Sequence, residues 1–165
     1  MLNFENITED ILRLKVPFEN IYTAVFLVKT VGGAFLVDSA TTEYDVKEVI
    51  LPALRKCIDL DEVKYIGCTH LHGDHGGGIR YLLPELRNAK VAGASARAVE
   101  LYGEKNVVTV HDGDTICGVK LLSFKGHSLD CIGLYDERSR ALILGDAVQL
   151  YGIAKYGCGV SFPKE

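Results

Sequence analysis

The chain has 165 residues, 48% of them hydrophobic, which is enough for one domain that buries roughly 70% of its unfolded surface. A net charge of −4, with 18 basic residues scattered along the chain, offers no stripe for a phosphate backbone and argues against a nucleic-acid partner. The acidic start Met1 to Asp10 lacks the basic and apolar regions of a secretory signal, and no apolar run approaches a membrane span, so a cytoplasmic protein with no membrane association is expected.

Ile11 to Val16 alternate apolar and basic residues, which predicts a half-exposed strand that Pro17 interrupts. Thr23 to Thr30 and Ala34 to Asp38 flank Val31-Gly32-Gly33 and predict a hairpin of strands covered on both faces. Val46, Val49, Ile50, Leu54 and Ile58 recur at helical spacing, and Pro52 kinks or splits that helix. A strand over 63–68 leads into Cys68-Thr-His-Leu-His-Gly-Asp-His-Gly-Gly-Gly. Beyond it come a short helix over 79–83, a strand over 90–92, and a helix from an N-cap at Ser95 through Tyr102, ended by Gly103. From Val107 the pattern changes to short strands at 107–110, 115–117, 119–124, 131–135 and 140–144 with tight turns between them. No linker or low-complexity segment breaks the chain, and residues 1–165 are expected to form a single domain.

Three of the five histidines stand with one aspartate inside six positions, so His70, His72, Asp74 and His75 read as a metal site rather than as a polar loop facing solvent. In an extended segment His70 and His72 point the same way and can grip one ion. The turn at Gly73 shifts Asp74 and His75 out of that phase, to face a second ion or complete the first. The five cysteines, Cys57, Cys68, Cys117, Cys131 and Cys158, are odd in number and widely spaced, so reduced thiols are expected, mostly in the core. Cys158, flanked by glycines, is the candidate for an exposed and reactive one.

The run from His70 to His75 resembles the His-x-His-x-Asp-His motif of the metallo-β-lactamase superfamily. Three more marks follow the family's order: Asp38 at the end of Ala34-Phe-Leu-Val-Asp, His127 in Lys125-Gly-His-Ser, and Asp146 in Leu144-Gly-Asp-Ala. The resemblance implies an α+β fold, an αββα two-sheet sandwich with helices on both outer faces, whose second half is incomplete here, the domain being cut short after the bridging-aspartate region. It implies zinc, up to two ions, with iron or manganese as alternatives. His70, His72 and His127 would hold the first ion, Asp74 and His75 the second, and Asp146 would bridge them. Asp38 would lie buried beneath the metal loop.

The activity so implied is a hydrolase that uses a metal-bound hydroxide on an acyl bond, such as a thioester or lactone, in a small-molecule substrate. Asp74 would be the catalytic carboxylate that orients the hydroxide and passes on its proton. His72 stands where the diiron flavoprotein branch usually has glutamate, which favours the hydrolases, and the chain resembles the glyoxalase II and lactonase relatives. Tyr151 and Tyr156 read as lining the substrate mouth or as packing aromatics, Ser128 as a turn serine or as a hydrogen-bond partner near His127, and His111 as a surface turn. No histidine follows His127, so the family's final ligand is missing and one tight and one weak metal are expected. The alternative is an incomplete or inactive domain that binds one metal in a structural or interaction role. Its exposed sheet edges would favour association, for instance as a homo-oligomer.

Overall fold

The hairpin at Val31-Gly32 forms the middle of the larger of two sheets in a computed structural model that describes residues 2–147. Strands β1 (Glu5–Asn6), β2 (Ile11–Phe18), β3 (Ile21–Thr30), β4 (Gly33–Val37), β5 (Val63–Gly67), β6 (Lys90–Gly93) and β7 (Val107–Thr109) lie side by side in chain order. Pairing is antiparallel as far as β4 and parallel from β4 to β7. Strands β8 (Thr115–Ile116), β9 (Val119–Ser123), β10 (Ile132–Asp136) and β11 (Ala141–Ile143) form an antiparallel second sheet in the order β11-β10-β9-β8.

β4 shows why its sequence is apolar without alternation. Ala34 and Leu36 enter a core shared with Leu14, Leu27 and the crossover helices, while Phe35 and Val37 enter the core between the sheets with Leu121 and Leu134. All four are fully buried, and withdrawing a side chain such as Phe35 from water is worth about 1.5–3 kcal/mol. Phe35 also stacks on Tyr65, with ring centroids 5.1 Å apart.

Parallel strands need crossovers, and these supply the helices. The first is a π-helix, Asp45–Ile50, that runs into α1 (Leu51–Leu54). Pro52, near the start of α1, has no N–H for the carbonyl of Glu48, and the ladder changes from π to α spacing there, so the helix is split as expected. Shorter helices α2 (Gly73–Gly76) and α3 (Ile79–Leu82) follow β5, and α4 (Ala96–Tyr102) follows β6. Val46, Ile50, Leu54, Ile79 and Leu82 cover the outer face of the larger sheet.

The described residues thus form an α+β sandwich of one helical layer and two sheets, and no helix among them covers the outer face of the smaller sheet. None of the described helices is long and apolar enough to cross a membrane.

Two local expectations differ from the structure. Pro17 does not interrupt β2, which continues to Phe18 and pairs Pro17 with Tyr22. β1 covers β2 only at Leu12 and Arg13, so Pro17 lies on an edge, where a missing N–H is tolerated. Ser95 occupies the N-cap position of α4, but its side chain makes no cap bond and its buried Oγ has no hydrogen-bond partner among the described residues. Gly103 ends that helix with φ +84°, a left-handed value suited to glycine.

Candidate metal centre

β5 ends at Gly67 on the parallel side of the larger sheet, and the next residues turn across its end. Cys68 and Thr69 are buried, and the buried Cys68 thiol donates to the His70 carbonyl at 2.8 Å. Burial pushes that thiol well above its ordinary pKa, so it is a neutral packing group rather than a nucleophile. His72 is extended and stands at the N-cap of α2, whose single turn carries Asp74 and His75. The expected turn at Gly73 is therefore helical, and it throws His75 inward, 6% exposed, while Asp74 stays part-exposed.

The sheets meet at these side chains. His127, between β9 and β10, and Asp146, in the single 3-10 turn Gly145–Ala147 after β11, approach from the smaller sheet. The ligand atoms of His70, His72 and His127 lie within 4.8 Å of one another, and so do those of His70, His75 and Asp146. His127 Nε2 is 3.0 Å from His72 Nδ1. The Asp146 carboxylate lies 3.5 Å from His75 Nε2, 3.9 Å from His127 Nε2 and 4.0 Å from His70 Nε2. Asp74 belongs to neither group of three, although its Oδ2 is 3.6 Å from His75 Nε2.

Asp38 follows β4, lies beneath the loop and is held at a left-handed φ of +62°, which aspartate tolerates better than most residues. It accepts from the Thr69 N–H at 2.7 Å and the Thr69 hydroxyl at 2.8 Å, and pairs with His75 Nδ1 at 2.8 Å. Asp38 therefore fixes the ring that presents Nε2 to the site. Ser39 grips the same histidine's backbone, its N–H and Oγ both donating to the His75 carbonyl at 2.8 Å.

The donor set fits a metal on its own chemistry. His70 is 1% exposed, and its buried Nε2 has no hydrogen-bond partner among the described residues, an arrangement that is costly unless a further group meets that nitrogen. Imidazole nitrogens with a carboxylate beside them suit zinc or iron better than calcium or magnesium.

Burial, helped by the nearby His75, lowers the His70 pKa to about 4. Burial also pushes His75 down, but bonds to Asp146 and Asp38 outweigh it and raise its pKa to about 10. The signs give a pH profile for metal-free protein. His70 is neutral when folded, so stability falls as pH drops from 6.5 towards about 4. His75 is charged when folded, so its contribution is complete below 6.5 and is lost as pH rises towards about 10. Urea unfolding in chelator should peak near pH 6.5, with limbs of at most about 1.4 kcal/mol per pH unit for each proton. His75→Gln should flatten the alkaline limb, and a wild-type profile already flat above pH 6.5 would refute the assignment.

Other expected residues fall elsewhere. His111 is exposed and pairs with Asp114 in a turn away from the centre. Ser128 donates to Asp130 rather than to His127. Cys57, Cys68, Cys117 and Cys131 are free, but only Cys68 and Cys131 are buried. Tyr151, Tyr156 and Cys158 lie outside the described residues. A groove of about 850 Å³ opens beside Asp74, His75 and Asp146, with Tyr22, Phe26 and Leu144 among its walls. Thr69, Ser39 and Asp130 were not singled out in the sequence, although Thr69 adjoins the motif and Asp130 lies three positions after His127.

The family model of the metallo-β-lactamase superfamily matches residues 20–163. The chain belongs to the metallo-β-lactamase superfamily. A β-lactamase-like protein 2 homolog of Caenorhabditis elegans is 32% identical over 139 residues, covering 80% of this chain and 46% of that protein. A hydroxyacylglutathione hydrolase of Synechococcus is 32% identical over 130 residues, covering 76% and 49%. The chain spans about half the length of the curated relatives it matches. Among solved structures, a flavo di-iron protein of Thermotoga maritima superposes with a TM-score of 0.67 at 25% identity, covering 83% of this chain and 40% of that one. The metallo-β-lactamase SMB-1, in a complex with mercaptoacetic acid, superposes with a TM-score of 0.67 at 25% identity, covering 80% of this chain and 57% of that one.

Proposed function

We propose that this chain carries the metal-binding half of a hydrolase that cleaves an acyl bond, such as a thioester or lactone, with zinc as the metal. The observation that carries the reading is the convergence of two donor groups on His70, whose Nε2 is buried and unpartnered among the described residues. His70, His72 and His127 would hold one ion, and Asp74, His75 and Asp146 would serve a second. The chemistry a bound divalent ion supplies is Lewis acidity, which polarises a carbonyl and brings the pKa of a water near neutrality.

The chain's own residues do the rest. Asp38 holds Nδ1 of His75, so the ring cannot turn away, and Asp146 leans between the histidines from the opposite sheet. Asp74, part-exposed at the groove, is the carboxylate placed to take a proton at Oδ2 during attack and return it to the leaving group. The groove would receive the acyl substrate beside Asp74. Likeness to the hydroxyacylglutathione hydrolase supports hydrolysis, whereas the flavo di-iron neighbour keeps iron among the metals to be tested.

The three histidines of the first group converge, whereas Asp74 stands outside the second group, which favours one tight and one weak metal and, at the limit, an inactive domain with one structural ion. Elemental mass spectrometry should find about one equivalent retained after mild chelation. His72→Ala should empty that site and abolish turnover of a thioester or lactone, while Asp146→Asn should mainly loosen the second ion. Unchanged zinc in His72→Ala would sink the ligand reading.

A further inference from the structure

The two loops that bring His127 to His70 and His72 come from different sheets, and something must set their spacing. Their backbones meet through the Ile132 N–H, which donates to the Thr69 carbonyl at 2.9 Å. The second tie is a side chain. Asp130 Oδ2 accepts the N–H of Leu71, the residue between the two histidines of the motif, at 2.8 Å. Its other oxygen accepts from Ser128 Oγ, one residue beyond His127. Both carboxylate oxygens are thus used, one on each loop. Leu71 lies outside every described helix and strand, so Asp130 supplies the acceptor that regular secondary structure does not.

We propose that Asp130 is a positioning residue that clamps the His127 loop onto the His70–His72 segment and so sets the spacing of the three-histidine group. This rests on the ligand reading above. Asp130 does not touch a metal; it acts through the Leu71 backbone and Ser128. An asparagine can keep both links, its carbonyl oxygen accepting from Leu71 and its amide donating to Ser128 Oγ, whereas alanine keeps neither. A role through charge alone would fail equally in both variants.

The test is zinc affinity of the full chain, measured by competition with a chromogenic chelator, for wild type, Asp130→Ala, Asp130→Asn and His72→Ala, with amide exchange at Leu71 read by NMR. Asp130→Ala should bind zinc roughly 10- to 100-fold more weakly and lose protection at Leu71, while Asp130→Asn stays within roughly threefold of wild type and keeps it. Should Asp130→Ala fail to fold, Asp130→Glu keeps the charge but moves the acceptor by one methylene, and it should bind several-fold more weakly. Wild-type affinity in Asp130→Ala or, failing that, in Asp130→Glu overturns the proposal, as does equal loss in Asp130→Asn and Asp130→Ala. If His72→Ala also binds zinc like wild type, it is the ligand reading that has failed.

Discussion

Asp38→Ala is expected to lower the stability of the metal-free protein by about 3–5 kcal/mol, the usual cost of removing one member of a buried charge pair. The Asp38 side chain is 2% exposed and answers three donors, Thr69 N–H, Thr69 Oγ and His75 Nδ1. Alanine leaves the Thr69 N–H without its acceptor, leaves Thr69 Oγ only its longer contacts to the His70 and His75 Nδ1 atoms, and strands a buried imidazolium. Urea unfolding at pH 7 in chelator reads the loss directly. A change below about 1 kcal/mol, the worth of a single ordinary hydrogen bond, would mean that Asp38 is not the anchor of this network.

The second large effect is expected at Gly78→Ala, about 3 kcal/mol, at the upper end for an inserted methyl that meets unyielding atoms. A Cβ there would come within 2.2 Å of the Ser39 carbonyl oxygen and 2.8 Å of Val46 Cγ2. The backbone cannot retreat easily, because the Gly78 N–H donates to the Ala40 carbonyl at 3.0 Å. Ser39 is also the residue that grips the His75 carbonyl, so displacing it should weaken metal retention as well. Gly73→Ala is the control: nothing lies within 4 Å of its Cβ, and it should be neutral or slightly stabilising. Thermal unfolding of the two variants side by side makes the comparison, and equal melting temperatures would refute it.

The strands were legible because their apolar runs are local, and β4 reads as doubly buried from Ala34-Phe-Leu-Val alone. The motif residues were legible because ligand chemistry restricts residue type, and spacing within six positions is itself geometry. Pro17 was misread because the rule against proline in strands assumes a neighbour on each side, and only the finished sheet shows that β1 stops short of it. Asp130 escaped notice because its function is a bond to a backbone N–H 59 residues away, and nothing in Ser128-Leu-Asp announces such a partner. Ser39 and Thr69 were missed for the same reason: each serves a group that only the packing of β4 against β5 brings near.

Three of the centre's histidines belong to the larger sheet, while His127 and Asp146 belong to the smaller one. A bound ion would therefore act as a rivet through the sandwich, adding its binding free energy to the docking of two layers whose outer strands are only two or three residues long. Losing the ion would loosen a joint as well as empty a site, and the smaller sheet would be the first part to breathe.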